Sequence, residues 1–195
     1  MMLTTRERVR RLATAAALAA GLSTIAATPA AAFGPACTTP TMTQAYAAWG
    51  DSSWYTLTPG QTPGDFNGDG WILLGGARIV TTQLDDGTTG HVLQLPAGSQ
   101  AISPMFCVDP TYRTVRAMTR SVNGTATASL FFTYVWGRTA ANSVSGSSDW
   151  NPTPSLDLNP SANRGWQLAK FTFTAGLSRG ELQVYNLYID PYSRG

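Results

Sequence analysis

The sequence predicts an all-β fold, an antiparallel β-sandwich of two sheets with about eight strands. Beyond residue 32 the chain shows no helical period. Its apolar residues fall in short runs rich in Val, Ile, Thr and aromatic side chains, separated by Gly, Pro, Asn and Asp. The candidate strands are 54–57, 71–81, 91–95, 101–108, 111–122, 125–136, 166–174 and 181–190. Many short strands between turn signals are typical of two packed antiparallel sheets.

Three connections between these runs have a distinct composition. The Asn-Gly pair at 123–124 tolerates the positive φ angles of a type I′ turn, so 111–122 and 125–136 are expected to pair as a hairpin. The G-x-S-x-G string at 176–180 resembles a hydrolase elbow, but an elbow joins a strand to a helix and needs a later His, and none follows here. We interpret it as a second hairpin turn. The stretch 137–165, rich in Ser, Asn and Pro, is interpreted as one long loop.

Residues 1–32 have the layout of a secretory signal peptide. Four Arg residues precede an apolar run at 12–27, and a small-residue site follows, with cleavage expected between Ala32 and Phe33. The alternative, a retained membrane anchor, is disfavoured because this run is shorter than the ~18 residues of a membrane span. Residues 33–195 are then expected to form a single exported domain.

Cleavage at this site changes the charge balance of the protein. It removes four of the 13 basic residues and one of the 11 acidic residues, so the formal charge falls from +2 to −1. This balance excludes the basic footprint of a nucleic-acid or anionic-membrane binder. The chain has a single histidine, His91, which excludes a His-rich metal centre.

Both cysteines, Cys37 and Cys107, lie in the exported part of the chain. In an oxidising compartment we expect them to form one disulfide that fastens the N-terminal segment to a strand near the middle of the sequence. The chain-entropy model assigns such a loop roughly 4 kcal/mol of stability. The alternative, a redox pair or a thiol nucleophile, lacks a C-x-x-C spacing and a nearby His.

Several short motifs follow one another in a recognisable order. They are W-G-D at 49–51, W-Y-T-L-T-P-G at 54–60, D-F at 65–66, G-W-I-L-L-G-G-A at 70–77, L-P-A-G-S at 95–99, C-V-D at 107–109 and L-Y-I-D-P-Y at 187–192. In this order the sequence resembles a group of secreted actinobacterial proteins of jelly-roll type, similar in pattern to carbohydrate-binding modules. The resemblance covers nearly all of 33–195. It implies a jelly-roll β-sandwich and a binding function.

The resemblance also bears on a structural calcium ion. Such jelly rolls often carry Phe-Glu near the first strand and paired Asp residues near the end, and these carboxylates can hold calcium. In this sequence Asn67 follows Phe66, and Tyr185 and Asn186 stand where the Asp residues usually fall. The resemblance therefore implies that the calcium is weakened or lost.

Residues 65–70 give a second, independent calcium signal. Asp65, Asn67 and Asp69 match the alternating oxygens of the first half of an EF-hand loop, with Gly at the sixth position. Position twelve, however, is Gly76 instead of the bidentate Glu, and no helical pattern flanks the loop. A polar turn is the favoured interpretation, and a metal site is the alternative.

The aromatic residues give the main functional signal. All six Trp, seven Tyr and seven Phe lie beyond residue 32, and aromatic faces can stack on sugar rings while polar groups hold the hydroxyls. The candidate ligand-binding residues are Trp136, Trp150, Tyr134, Arg113 and Arg138. The alternative role for each aromatic candidate is core packing. We expect the core itself to contain Trp71, Trp166, Phe132, Phe171 and Phe173.

These observations predict a non-catalytic module that binds an extracellular or cell-wall carbohydrate. The alternative is a structural or protein-interaction component of the cell envelope without a sugar site. An enzyme ranks third, because the carboxylates of 33–195, Glu181 and nine Asp, show no spacing that predicts a catalytic pair. No cofactor is expected.

Overall fold

The computed structural model describes Cys37, residues 40–134, Gly137, and residues 139–158 and 165–190. These residues form 13 strands and one three-residue 3₁₀ helix, Ala47–Trp49. The strands are β1 (Thr56–Leu57), β2 (Ile72–Leu74), β3 (Arg78–Gln83), β4 (Thr89–Leu95), β5 (Gln100–Ile102), β6 (Phe106–Val108), β7 (Thr114–Val122), β8 (Thr127–Tyr134), β9 (Thr139–Ser145), β10 (Asn151–Pro152), β11 (Leu156–Asp157), β12 (Gln167–Ala175) and β13 (Glu181–Asp190).

The strands form two antiparallel sheets, which confirms the predicted fold class. The seven-stranded sheet has the order β10-β7-β13-β4-β3, with β1 also paired to β13 and β11 also paired to β7. The six-stranded sheet has the order β2-β5-β12-β8-β9, with β6 also paired to β12. The apolar core lies between the two inward faces.

The predicted count of about eight strands is wrong, because two apolar runs are divided and the predicted loop contains three strands. Gly75 and Gly76, with φ of 63° and 92°, split the run 71–81 into β2 and β3, which belong to different sheets. The run 101–108 is likewise divided between β5 and β6. The predicted loop 137–165 contains β9, β10 and β11.

Neither predicted hairpin forms. Asn123 and Gly124 do adopt positive φ, 58° and 120°, but β7 pairs in the seven-stranded sheet and β8 in the six-stranded sheet. The 176–180 string joins β12 to β13 across the sheets in the same way. The physical reason is that β7, β8, β12 and β13 each carry one buried apolar face, and opposite sheets bury these faces against each other.

The core is rich in aromatic rings. Phe132 and Phe171 pack with their centroids 5.0 Å apart, and Trp71 stacks on Phe173 at 6.4 Å, as expected for core residues. The prediction for Trp166 is wrong, because this residue is 44% exposed, although its ring packs against Tyr112 with the centroids 5.9 Å apart. Trp166 immediately precedes β12 and lies outside the paired strand.

The predicted disulfide is confirmed. Cys37 is bonded to Cys107 in β6, 70 residues further along the chain. The bond ties the start of the described chain to β6, which pairs with β12 in the six-stranded sheet. All described residues belong to one compact unit, Gly34–Gly195. The predicted signal peptide and its cleavage site between Ala32 and Phe33 lie outside the described residues.

The described part of the chain contains no helix with the length and apolar character needed to cross a membrane.

Candidate functional site

A row of polar side chains crosses four strands of the seven-stranded sheet. Strand pairing places Arg78 opposite Gln94, Gln94 opposite Gln183, and Gln183 opposite Arg120. Because side chains alternate between the two faces of a sheet, these four residues share one face. On β4 and β13 the residues beside the two glutamines, Leu93, Leu95, Leu182 and Val184, are fully buried and point into the core. The row therefore lies on the outward face.

Hydrogen bonds connect the row from end to end. Arg78 Nη2 lies 3.2 Å from Glu181 Oε1, and Gln94 Nε2 donates to the other oxygen of Glu181. Gln183 Nε2 donates to Gln94 Oε1 at 2.6 Å, and Arg120 Nε donates to Gln183 Oε1 at 2.7 Å. We call these five residues the polar ladder. The two Gln side chains are only 7% and 4% exposed, so the network fixes their orientation.

Trp150 lies over one end of the polar ladder. The Arg120 guanidinium carbon lies 4.6 Å from the centre of the Trp150 ring, and Arg120 Nη2 donates to Thr82 Oγ1 at 2.6 Å. Trp150 itself donates from Nε1 to the backbone carbonyl of Gln83 at 2.9 Å. Its ring is nearly perpendicular to that of Tyr185, with the two centroids 4.7 Å apart. The polar ladder, Thr82 and Trp150 together form the surface that we call the Arg120 face.

The charges on the Arg120 face are unevenly matched. Arg78 is paired with Glu181, but no carboxylate among the described residues forms an ion pair with Arg120. Burial lowers the pKa of the Arg120 guanidinium, because its positive charge is partly removed from water. Beside Trp150, the Tyr185 hydroxyl donates to Asp85, and burial raises the pKa of that carboxyl.

Of the five sequence candidates, the structure describes Trp150, Tyr134 and Arg113, and these three do not form one cluster. Trp150 belongs to the Arg120 face and is partly buried there. Tyr134 is 2% exposed and packs edge-on against Phe132, so its ring is a core ring and offers no stacking surface. Arg113 is exposed, but it precedes β7. The chain between Arg113 and Arg120 spans about 20 Å when it is extended as in a strand. Trp136 and Arg138 lie outside the described residues.

Sequence reasoning missed the polar ladder, although the sequence carried part of the signal. In β13 the polar residues Glu181 and Gln183 alternate with the apolar Leu182 and Val184, which marks a polar outward face. In β7, Arg116 and Arg120 fall on the same face of the strand, as expected for a strand with one solvent-exposed side. The pairing that unites the two strands with β3 and β4 could not be read from either pattern.

The residues considered for calcium bond to other protein groups. Asp65 Oδ1 accepts the His91 backbone N–H at 2.8 Å and lies 2.6 Å from His91 Nδ1, and these contacts lower the pKa of Asp65. Asn67 Nδ2 donates to Asp69 Oδ2 at 2.9 Å. Asn186 Oδ1 accepts the N–H of Gly64 at a β-bulge. Within the described ranges no three His, Cys, Asp or Glu residues are grouped to hold a metal ion.

Comparison with known proteins gives similarities to solved structures alone. No protein-family model and no curated protein matches the chain. An exo-β-agarase structure gives a TM-score of 0.48 at 12% identity, over 64% of this chain and 23% of that chain. TmCBM61 in complex with β-1,4-galactotriose gives 0.43 at 10%, over 65% and 90%. CsCBM6-3 from Clostridium stercorarium in complex with cellobiose gives 0.44 at 12%, over 63% and 87%. Carbohydrate-binding modules are thus among the structures to which this chain is similar.

Proposed function

We propose that this protein is a secreted, non-catalytic module that binds an extracellular or cell-wall carbohydrate on the Arg120 face. The observation that carries the proposal is the fixed row of Arg and Gln side chains that ends beneath the Trp150 ring. Sugars present hydroxyls that donate and accept hydrogen bonds, together with apolar ring faces. Sites for such ligands combine an aromatic surface with a few oriented polar groups.

The network prepares the Arg120 face for binding. Gln94 and Gln183 hold each other by hydrogen bonds, and Trp150 is held by its bond to the Gln83 carbonyl. Side chains that are already ordered lose little conformational freedom when a ligand arrives, so more of the contact energy appears as affinity. Arg78 is exposed and Thr82 is partly exposed, so the Arg120 face remains partly open to solvent.

The arrangement of Glu181 supports a non-catalytic role. Glycoside hydrolysis needs two carboxyl groups about 5–9.5 Å apart, one of which delivers a proton to the leaving group. Both oxygens of Glu181 accept hydrogen bonds from other members of the polar ladder. This carboxylate therefore acts as an acceptor that positions Arg78 and Gln94.

The Cys37–Cys107 disulfide supports export. Disulfides persist in oxidising compartments outside the cytoplasm, and the predicted signal peptide would direct the chain there.

The test is retention of the purified, disulfide-bonded protein on a panel of insoluble polysaccharides and isolated cell walls. We expect retention on at least one polymer, lost in Trp150→Ala and kept in the matched control Arg113→Gln, which removes an exposed arginine outside the Arg120 face. Assay of new reducing ends in the same samples should show no hydrolysis. Retention unaffected by Trp150→Ala, absence of retention on every polymer, or hydrolysis would overturn the proposal.

A second candidate function is supported by the outward face of the six-stranded sheet. Strand pairing aligns Ile72, Ile102, Thr172, Phe131 and Ala141 in one row across five strands, and Ile72 is 55% exposed. An apolar row on an exposed sheet favours a protein-interaction component of the envelope. The double variant Ile72→Thr/Phe131→Thr should abolish capture of envelope proteins if this surface binds them, and should leave polysaccharide retention unchanged.

A further inference from the structure

We infer that the ligand of the Arg120 face carries a carboxylate, as a uronic acid-containing polysaccharide does, and that this carboxylate binds the free donors of Arg120. The inference rests on the proposed function, because it names the chemical class of sugar that the same site takes. The supporting observation is a difference between Arg116 and Arg120, two arginines of β7.

Arg116 and Arg120 share the outward face of β7, four residues apart. Each guanidinium lies over an aromatic ring, Arg116 at 4.9 Å from the centre of Tyr46 and Arg120 at 4.6 Å from that of Trp150. Each also donates from Nε to an oxygen of the protein, at 2.8 Å and 2.7 Å. The surroundings of the two cations are therefore built alike.

The two arginines differ in their counter-charge. Arg116 Nη1 lies 2.6 Å from Asp51 Oδ2, so its cation is neutralised within the protein. Arg120 has no such partner among the described residues, and its Nη2 donates to the neutral hydroxyl of Thr82. Asp51 supplies a carboxylate to Arg116, and no carboxylate in the described part of the chain does the same for Arg120.

The hydrogen-bond count of Arg120 leads to the same conclusion. A guanidinium has five N–H donors, and the contacts to Gln183 and Thr82 use two of them. The other three donors, on Nη1 and Nη2 next to the Trp150 ring, have no acceptor among the described residues. A partly buried cation with free donors gains more from an anion than an exposed cation does, because water screens the attraction less.

A carboxylate attached to a sugar fits both parts of the site. Its planar pair of oxygens matches the planar guanidinium, and a charged pair of this kind gives shorter and stronger hydrogen bonds than a neutral one. The sugar ring that bears the carboxylate can then contact Trp150. Glu181 is occupied by Arg78 and Gln94, so it does not compete for Arg120.

The experiment compares charged polymers with their neutral counterparts. Affinity of the purified, disulfide-bonded protein is measured for polygalacturonate, alginate and glucuronoxylan, for the carboxyl-reduced form of each, for neutral galactan and for poly-glutamate. We expect binding to a uronate polymer that falls about tenfold or more on carboxyl reduction, the loss of a charged hydrogen-bonded contact. The preference should weaken as salt rises.

Variants assign the effect to Arg120. In Arg120→Gln the charged and reduced polymers should bind equally. Arg120→Lys keeps the charge but lacks the planar set of N–H donors, so it should restore part of the preference for charged polymers. Arg113→Gln should leave this preference intact. Circular dichroism and a thiol assay establish that each variant is folded and oxidised.

Three results would overturn the inference. If charged and carboxyl-reduced polymers bind equally and Trp150→Ala abolishes both, the proposed carbohydrate function stands. The inference that the ligand binds through a carboxylate is then overturned. Binding to poly-glutamate alone would identify an acidic protein as the ligand and overturn both proposals. Absence of binding to every polymer, neutral galactan included, would also overturn both.

Discussion

The carboxylate of Asp51 lies 2.6 Å from Arg116 Nη1 and joins the N-terminal segment of the domain to the seven-stranded sheet. The same carboxylate accepts hydrogen bonds from the Tyr55 hydroxyl at 2.6 Å and from the backbone and side chain of Ser53. Both members of the ion pair are largely shielded, with 15% and 14% of their side chains exposed. The contact therefore fastens the chain before β1 onto β7.

The variant Asp51→Asn should lower the free energy of unfolding by about 2–4 kcal/mol. It leaves the Arg116 guanidinium shielded without its counter-charge and weakens three hydrogen bonds. Urea unfolding at pH 7 measures the change. The matched control is Asp149→Asn, an exposed carboxylate, which should change the stability by about 0.5 kcal/mol or less. Equal stability of the two variants would contradict this account of the contact.

Asp51 should also make the free energy of unfolding depend on pH in the acidic range. Burial alone would raise the pKa of Asp51, but hydrogen bonds from Ser53, Tyr55 and Arg116 hold it well below its usual range. A carboxyl with a lowered folded-state pKa contributes stability that is present above its unfolded pKa of about 4 and is lost as the pH falls towards the folded value. Urea midpoints measured from pH 6 to pH 2 should fall less steeply in Asp51→Asn than in the wild type. Parallel curves would show that Asp51 does not have this role.

Gly180 should not tolerate a side chain. A Cβ at this position would lie 2.6 Å from the backbone carbonyl of Thr125, because the two sheet-to-sheet connections touch there. Gly180→Ala should therefore lower the melting temperature by several degrees, through the overpacking of fixed backbone. Gly165→Ala is the control, since nothing lies within 4 Å of the added carbon. A Gly180→Ala protein as stable as this control would contradict the close contact of the connections.

Removal of the disulfide should destabilise the domain without a change of fold. The loop that Cys37 and Cys107 close spans 70 residues, and the chain-entropy model gives its closure roughly 4 kcal/mol. Differential scanning calorimetry of Cys37→Ser/Cys107→Ser should show a lower melting temperature, with a far-UV circular dichroism spectrum still dominated by β-structure. An unchanged melting temperature would show that the bond constrains little.

Calcium should have little effect on stability. Asp65 is engaged by His91, and Asn67 and Asp69 are engaged with each other, so their oxygens already have protein partners. Thermal unfolding in excess EDTA and in millimolar calcium should give melting temperatures within about 1 °C, because a ligand stabilises only when it binds the folded state. A rise of several degrees with calcium would establish a metal site.

The fold could be predicted from local patterns where one strand carries its own signal. The bounds 181–190 agree with β13, and the positive φ angles at Asn123 and Gly124 follow from their residue types. The pairing of the strands on either side of this turn could not be predicted, because a turn constrains the direction of the backbone and leaves the choice of sheet to long-range packing. Both expected hairpins failed for this reason.

The candidate site could be predicted only in part. Trp150 was identifiable as an aromatic residue in a polar stretch, and the structure places it on the Arg120 face. The polar ladder joins residues up to 103 positions apart, such as Arg78 and Glu181, through the register of four strands. Register depends on which faces are buried in the folded domain, so no single segment reveals it. For Tyr134 the sequence left binding and core packing open, because a tyrosine near a strand end can point to either face, and the structure buries it.

A two-dimensional NMR titration of ¹⁵N-labelled protein with oligosaccharides of the polymer that it retains would show whether the carbohydrate contacts the Arg120 face. Trp150→Phe assigns the Trp150 indole signal, and Arg120→Gln assigns that of the Arg120 side chain. We expect shifts in these two signals, with those of the exposed Trp49, Trp54 and Trp166 unchanged. Shifts confined to the exposed tryptophans would place the carbohydrate elsewhere and contradict the Arg120 face as the binding site.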